Sequence, residues 1–472
     1  AQALFLAAGA APVAAPEMAA IAQADHRLEY NGRLVPADVL SPRALPFYDA
    51  TTAFRLAATD RRLRAALRHL TRVIIGLRRK RLHPDAAASL SRSLRSLGGL
   101  KSLVADVSFS SVGEAGVQDL ARAVGSLAGL LRLELSLAGC GLCAPGAKRL
   151  AQEIKNLQAL HRLKVEMSFN GVGDSWLREL SQTLSSLPRL TSLELDLNRN
   201  RIGDMGVGWL AQAVASVPSL LELRLSLLDN RIGEAGAHEL ARSLQVLLRP
   251  THLAICLNRN SVSELGAQHL ARAAGQLVSL TELTLDLSIS GIGWAGAHDI
   301  ALSIGALRWL TSLALDLNVN HIGAAGAQLL AHALTERSGL TTLRLLASGN
   351  RLREAGAREL ANSLAALTSL TSLELDASGN GIGVVGATEL ARSLGSLRAL
   401  SRLLADLRGN LMGELGAREL ARAVGPLAAL QRLELRLDGN GRSVGEVGPS
   451  HHELANAVHR LQTGGCVCDC TW

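Results

Sequence analysis

"LTSLELDASGNGIGVVGATELARSLGSLRA" (residues 370–399) opens on an alternating run, "LELDA", and closes on a helix-like run, "GATELARSL". Between them Gly381, Gly383 and Gly386 stand at G-x-G-x-x-G spacing, and Asp406 follows twenty positions after the last glycine. Strand, tight turn, helix and a distant carboxylate are the parts of a dinucleotide-binding unit. The neighbouring sequence gives those residues a different reason.

The same frame recurs as "LTSLELDLNRNRIGDMGVGWLAQAVASVPS" (190–219) and "LTSLALDLNVNHIGAAGAQLLAHALTERSG" (310–339), and the register holds from residue 100 to 440. The column that runs 110, 140 and onward to 440 is Asn at 170, 200, 230, 260, 320, 350, 380, 410 and 440, nine of twelve members. The column from 120 to 420 is Leu ten times in eleven, and the column from 116 to 416 is Gly ten times in eleven, broken by Trp176. A period this strict marks a stack of identical supersecondary units.

Within one unit, Leu193, Leu195 and Leu197 alternate with Glu194 and Asp196, the pattern of a half-buried strand. Gly206, Leu210 and Val214 recur four apart with Val207 and Ala211 beside them, which puts one apolar face on a helix. Neither element buries its apolar side alone, so successive coils must stack. The unit L-x-x-L-x-L-[D]-L-x-x-N-x-[IVL]-G-x-x-G-A-x-x-L-A-x-x-L-x-x-L resembles the leucine-rich repeat, in the long strand–helix subtype typified by ribonuclease inhibitor. NOD-like immune receptors and the Ran GTPase-activating protein carry the same subtype. The resemblance covers residues 70–460, with one departure: an extra in-facing Leu between Leu190 and Asn200, which predicts a strand about two residues longer than usual.

The expected fold is therefore an α/β leucine-rich-repeat solenoid of about 13 coils. Parallel strands pack closer together than helices do, so a horseshoe with strands on a concave face and helices on a convex face follows. Residues 1–58 read as a partly irregular N-terminal segment, 59–460 as the repeat domain and 461–472 as a Cys-containing tail. "TDRRLRAALRHL" reads as a capping helix opened by Thr59, and the repeat after Asn440 as a terminal one with about four inserted residues. The apolar "AQALFLAAGAAPVAAPEMAA" reads as a loosely docked helix or the start of a truncated chain in preference to a targeting remnant.

Composition narrows function. The net charge of +8 lies wholly in residues 1–100, with 15 Lys and Arg against 7 Asp and Glu, so a uniformly basic, nucleic-acid-binding surface is not expected. Six cysteines without a disulfide spacing favour a reducing, cytoplasmic compartment, and no apolar run has the length of a membrane span. The first-glycine column also holds Arg201, Arg231, Ser261, His321 and Arg351. A place that accepts Arg is not one where backbone must touch a pyrophosphate, so no cofactor, metal or catalytic residue is assigned. The glycines instead serve a turn into a helix packed closely on the strand layer. The asparagines read as backbone glue, and Cys466, Cys468 and Cys470, with His451, His452 and His459, as a tail without the C-x-x-C spacing of a zinc site.

One pattern asks for more than architecture. The strand column of Asp196 is acidic seven times in twelve, including Asp286, Asp316, Asp376 and Asp406, and Glu194 and Glu374 stand two residues earlier on the same face. Like charges stacked at strand spacing repel. An acidic groove for a basic protein partner accounts for them; solvation of the inner sheet, with Arg224, Arg344, Arg408 and Arg436 nearby, is the competing account. The function expected is a non-catalytic protein-binding scaffold, monomeric or part of a larger assembly. The resemblance also implies two alternatives: a GTPase-activating regulator of the Ran type, and the sensor portion of an NOD-like receptor.

Overall fold

A computed structural model of the protein describes residues 3–7, 27–30, 33–36, 71–79, 84–110, 112–441, 449–463 and 465–471. The chain packs as two units: residues 1–202 with 212–220, and residues 203–211 with 221–472. The first unit contains strands β1 (Ala3–Ala7), β2 (Arg27–Tyr30), β3 (Arg33–Pro36), β4 (Arg72–Gly76), β5 (Ser102–Asp106), β6 (Arg132–Ser136), β7 (Arg162–Glu166) and β8 (Ser192–Asp196). Helices α1 (Pro84–Arg95), α2 (Gly113–Gly125), α3 (Ala144–Ile154) and α4 (Gly173–Leu184) join the strands from β4 to β8. Helix α5 (Asp204–Ala215) contributes residues to both units. The second unit contains β9 (Glu222–Ser226), β10 (His252–Cys256), β11 (Glu282–Asp286), β12 (Ser312–Asp316), β13 (Thr342–Leu346), β14 (Ser372–Asp376), β15 (Arg402–Asp406), β16 (Arg432–Arg436) and β17 (Val467–Thr471). They alternate with α6 (Glu234–Leu244), α7 (Ser263–Gly275), α8 (Gly293–Ala306), α9 (Gly323–Thr335), α10 (Arg353–Ala366), α11 (Gly383–Ser396), α12 (Gly413–Val424) and α13 (Pro449–Thr463).

Apart from the antiparallel pair β2–β3, each unit is a stack of strand–helix coils whose strands pair in parallel, and between regular coils the register offset is one period. Leu313 pairs Leu343, Leu343 pairs Leu373, and Leu373 pairs Leu403. The coils that begin at residues 72 to 192 and at 222 to 432 number five and eight, thirteen in all. Along β12 and β14 the two leucines are buried and their neighbours are not, as a sheet covered on one face requires. On the helix, Gly386, Ala387, Leu390, Ala391, Ser393 and Leu394 form the buried stripe.

The asparagines tie one coil to the next. Asn380 is 2% exposed; its Oδ1 accepts the N–H of Asn350 at 2.8 Å and of Leu352 at 3.3 Å. Its Nδ2 donates to the carbonyls of Ala347 and Ala377, both at 2.9 Å. Asn170, Asn200, Asn260, Asn320, Asn350, Asn410 and Asn440 repeat this two-sided scheme, and the Nδ2 group of Asn230 donates to the Leu227 carbonyl of its own turn. The backbone carbonyls of Asn200, Asn320, Asn350, Asn380, Asn410 and Asn440 do a second job: that of Asn410 accepts the N–H of Gly383 at the start of α11, and that of Asn380 accepts the N–H of Arg353 at the start of α10. Helix starts normally recruit a local Ser, Thr or Asp. Here the following coil supplies an acceptor, and Ile382 and Leu352 can stand at the N-cap without a polar side chain.

Several expectations change. The regular strands are five residues long; the extra leucine lies just past them, and the ladder continues there through backbone bonds such as Leu317 N–H to the Leu346 carbonyl at 2.7 Å. The glycines of the 116–416 column meet the preceding helix as well as their own turn, not the strand layer. A Cβ on Gly386 would stand 2.6 Å from Ile382 and 2.9 Å from the Ala357 methyl. Ala3–Ala7, in the segment read as a loosely docked helix or the start of a truncated chain, is a strand paired with Arg72–Gly76. It satisfies an edge whose N–H and C=O groups would otherwise face solvent. The segment 461–472, read as a tail, holds the end of α13 and strand β17, which pairs Cys468 with Leu433 and Cys470 with Leu435. Cysteine there takes the place of the in-facing leucines, as a small apolar side chain can. The offset from Arg432 to Val467 is 35 residues, five more than the period. The capping helix opened by Thr59 and the inserted residues 442–448 lie outside the described residues.

Candidate functional site

The sheet face turned away from the helices carries the second and fourth positions after each strand's first residue. Both acidic columns lie on it, so the alternation places the candidates where a ligand could reach them. Their local chemistry differs from an array of solvated charges. The column of Asp196 carries out a turn function: each aspartate Oδ1 accepts the N–H two residues on, where the strand bends away. The bonds run from Asn198 to Asp196 at 3.1 Å, Ser288 to Asp286 at 3.1 Å, Asn318 to Asp316 at 3.1 Å, Ser378 to Asp376 at 3.0 Å and Arg408 to Asp406 at 3.2 Å. Aspartate has the reach for this Asx-type turn. Six of the seven acids in the column are Asp, and Asp106 makes the same bond to Ser108 at 3.0 Å. This structural role is one that the charge pattern alone conceals.

In the first unit the face is largely neutralised. Glu194 pairs with Lys164 and lies 3.8 Å from Arg162, and Asp196 also accepts the Ser168 hydroxyl at 2.6 Å. In the second unit Asp286 and Asp316 are direct ladder neighbours, about 4.8 Å apart at strand spacing. Burial pushes the Asp286 carboxyl above its ordinary value. Burial, and then the Asp286 charge beside it, push Asp316 up to about 6. A carboxyl raised in the folded state opposes folding when ionised. Asp316 therefore costs stability above about pH 6, and the cost fades as pH falls toward the ordinary value of 3.8. Asp316→Asn keeps an oxygen acceptor for the Asn318 N–H and removes the charge. We expect it to raise stability at pH 7 by about 1–2 kcal/mol and by nothing measurable at pH 3.5, read from urea midpoints.

Further along the same sheet Glu374, Asp376 and Asp406 are brought together around one hollow of about 160 Å³, with Glu434 and Arg436 on its border and Leu346 and Leu404 as apolar walls. Glu374 is held by Arg344 at 3.1 Å, and Asp406 by the Arg408 guanidinium at 2.9 and 2.6 Å. Leu346 takes the place of an aspartate and Leu404 that of a glutamate in the acidic columns, and Leu346 is 8% exposed. Neither leucine stands out in the sequence, because the column of Leu404 also holds Val104, Ala254 and Ala314 and that of Leu346 holds Cys256. Among the described residues no three His, Cys, Asp or Glu side chains are grouped to hold a metal ion.

One coil also has a counterpart among known families: residues 190–211 match the family model described as Leucine Rich repeat. The chain contains a leucine-rich repeat. That repeat is one of the thirteen coils, and its strand β8 and turn asparagine Asn200 recur at thirty-residue intervals. A comparison with curated proteins finds no match. Solved structures similar to this chain include a leucine-rich-repeat protein of Leptospira interrogans, at 15% identity and TM-score 0.39, covering 86% of this chain and 97% of the other. A chain of the yeast Rad7–Elc1 complex is similar at 16% identity and TM-score 0.45, covering 85% and 91%. A TLR13–single-stranded RNA complex is similar at 17% identity and TM-score 0.34, covering 78% of this chain and 52% of that one.

Proposed function

We propose that the protein is a non-catalytic protein-interaction scaffold that takes a basic segment of a protein partner on the open face of the second unit's sheet. The hollow between Leu346 and Leu404 carries this reading. Apolar walls beneath a border of Glu374, Asp376, Asp406 and Glu434 match the two halves of a Lys or Arg side chain, an aliphatic stem and a cationic head. Arg436 and Arg408 limit the net charge of the border, which favours selectivity and orientation over raw attraction. A repeat stack also offers extended surface, the usual basis of binding in such proteins.

The strand–helix coil of thirty residues supports assigning the repeats to the ribonuclease-inhibitor-like subtype. All six cysteines are free, which supports a reducing, cytoplasmic setting. Among the described residues no helix is long and apolar enough to cross a membrane.

A photo-crosslinking amino acid placed at Leu404 tests the location. Leu415, 46% exposed on α12, is the matched control on the helical side. The partner should be captured from position 404 and not from 415. Equal capture from both positions, or capture from 415 alone, rejects the sheet face as the binding surface.

A further inference from the structure

In the first unit, the turns that leave strands β4 to β8 line up a second surface of opposite character. Their third residues past the strand are Arg79, Phe109, Gly139, Phe169 and Arg199. All five have left-handed backbone, with φ of 58°, 54°, 57°, 61° and 55°. Bulky residues are rarely held there, because Cβ crowds the following carbonyl at a cost of about 1–2 kcal/mol. In the second unit the same place holds Asp229, Arg259, Ile289 and Val319 as well as Gly349, Gly379, Gly409 and Gly439, all at positive φ, so the fold accepts glycine there without requiring it. Two of the five phenylalanines in the chain nevertheless stand here, 41% and 50% exposed. The left-handed backbone recurs along the whole column, so it is the two exposed rings, and not the strain, that set these turns apart.

The side chains form one continuous row. Phe109 leans over Gly139, where a Cβ would stand 2.5 Å from its ring, and meets Phe169 with centroids 6.2 Å apart and planes tilted by 55°. The Arg78 guanidinium covers the Phe109 ring at 5.8 Å, and that of Arg199 covers Phe169 at 5.1 Å. The platform is rigid: the N–H groups of Arg79, Phe109, Gly139 and Phe169 each bond the next coil's carbonyl at 2.7 to 3.0 Å. Turn residues 78–79, 108–110, 138–141, 168–171 and 198–201 contain Arg78, Arg79, Arg199 and Arg201 and no Asp or Glu.

We infer that this row is a docking surface for an acidic segment of a protein partner, one that presents a hydrophobic side chain between carboxylates. Exposed aromatic side chains beside arginines are the composition of binding hot spots. A guanidinium lying on a ring keeps its in-plane N–H groups directed outward, ready for bidentate contact with a carboxylate. Five turns at strand spacing span about 19 Å, the length of an extended segment of about six residues. A single-stranded nucleic acid fits less well, since base stacking needs a free ring face. Here the rings face each other and the guanidinium groups. The surface is independent of the acidic hollow and selects the opposite charge.

An array of random twelve-residue peptides, probed with the labelled full chain, tests this. Phe109→Gly/Phe169→Gly is the key variant, because glycine suits the backbone there and the fold should persist, with an unchanged or higher melting temperature. Arg78→Gln/Arg199→Gln is the second variant. Peptides that lose at least tenfold in signal with the phenylalanine variant should be rich in Asp and Glu around an apolar residue. The arginine variant should lose the same peptides. If no peptide distinguishes wild type from the phenylalanine variant, or if those that do are not acidic, the inference is wrong. Binding of a labelled ten-residue oligothymidylate that disappears with the phenylalanine variant would also overturn it, in favour of nucleic acid.

Discussion

Asn380→Leu is expected to lower the free energy of unfolding by about 3 kcal/mol, although the two side chains share a branched shape and the same number of heavy atoms. The amide spans two coils: it accepts the N–H groups of Asn350 and Leu352 and donates to the carbonyls of Ala347 and Ala377. All of this is closed to water, with Asn380 at 2% exposure. Leucine would leave two N–H groups and two carbonyls without that partner, and an orphaned buried group costs about 1–3 kcal/mol. Local relaxation and water entry recover part of the sum, which sets the estimate near one full penalty. Asn380→Asp is the informative comparison, since it keeps the acceptor for Asn350 and Leu352 and loses both donations. Chemical denaturation of the two variants should rank both below wild type. A loss under about 0.5 kcal/mol for Asn380→Leu would remove the asparagines from the structural account.

Gly386→Val is expected to cost about 2–3 kcal/mol by overpacking, whereas Gly381→Arg should cost about 1 kcal/mol or less. The two glycines belong to one G-x-G-x-x-G motif, yet their surroundings differ. At Gly386 a Cβ would stand 2.9 Å from the Ala357 methyl of the preceding helix, within the close contact that brings α10 and α11 together. At Gly381 a Cβ would meet nothing within 4 Å, although φ is +65°. Arg201 and Arg351 tolerate the same left-handed backbone in their own coils, with φ of 60° and 59°. A dinucleotide site needs its first glycine for the tight turn, so it predicts a loss at position 381 at least as large as that at 386. Thermal melts of the two variants therefore separate turn geometry from cofactor chemistry. Equal losses, or a greater loss at position 381, would contradict the packing account.

The coil itself was legible because its period expresses the fold directly. Leu193 and Leu195 alternate because a covered sheet requires it, and Gly386 and Asn380 recur because each coil poses the same packing and hydrogen-bonding problem. Features that occur once, or that exchange one residue type for another, were hidden. The cysteines of β17 stand in for leucines, so "CVCDCT" gave no leucine signal although its alternation matches "RLELR" in β16. Strand β1 is separated by more than sixty residues from its partner β4, and no repeat announces it. Helices such as α10 and α11 carry no Ser or Asp cap because the acceptor comes from a residue about 27 positions later, as Asn410 serves Gly383, while α6 takes its acceptor from Asp204 of the preceding coil. At the candidate site the acids were found and their reason was half seen. Asp286, Asp316, Asp376 and Asp406 hold their own turns, so reversing their charge would disturb the fold along with any interface. Glu374 and Leu404 shape the hollow without capping a turn, as do Leu346 and Glu434.

That distinction selects the decisive measurement: quantitative affinity capture with wild type and with the double variant Glu374→Lys/Leu404→Lys, both first shown to melt alike. The scaffold account predicts that at least one partner bound by the wild type, enriched in Lys and Arg at the segment crosslinked to position 404, is lost from the variant by tenfold or more. Retention of every partner at wild-type levels would contradict it.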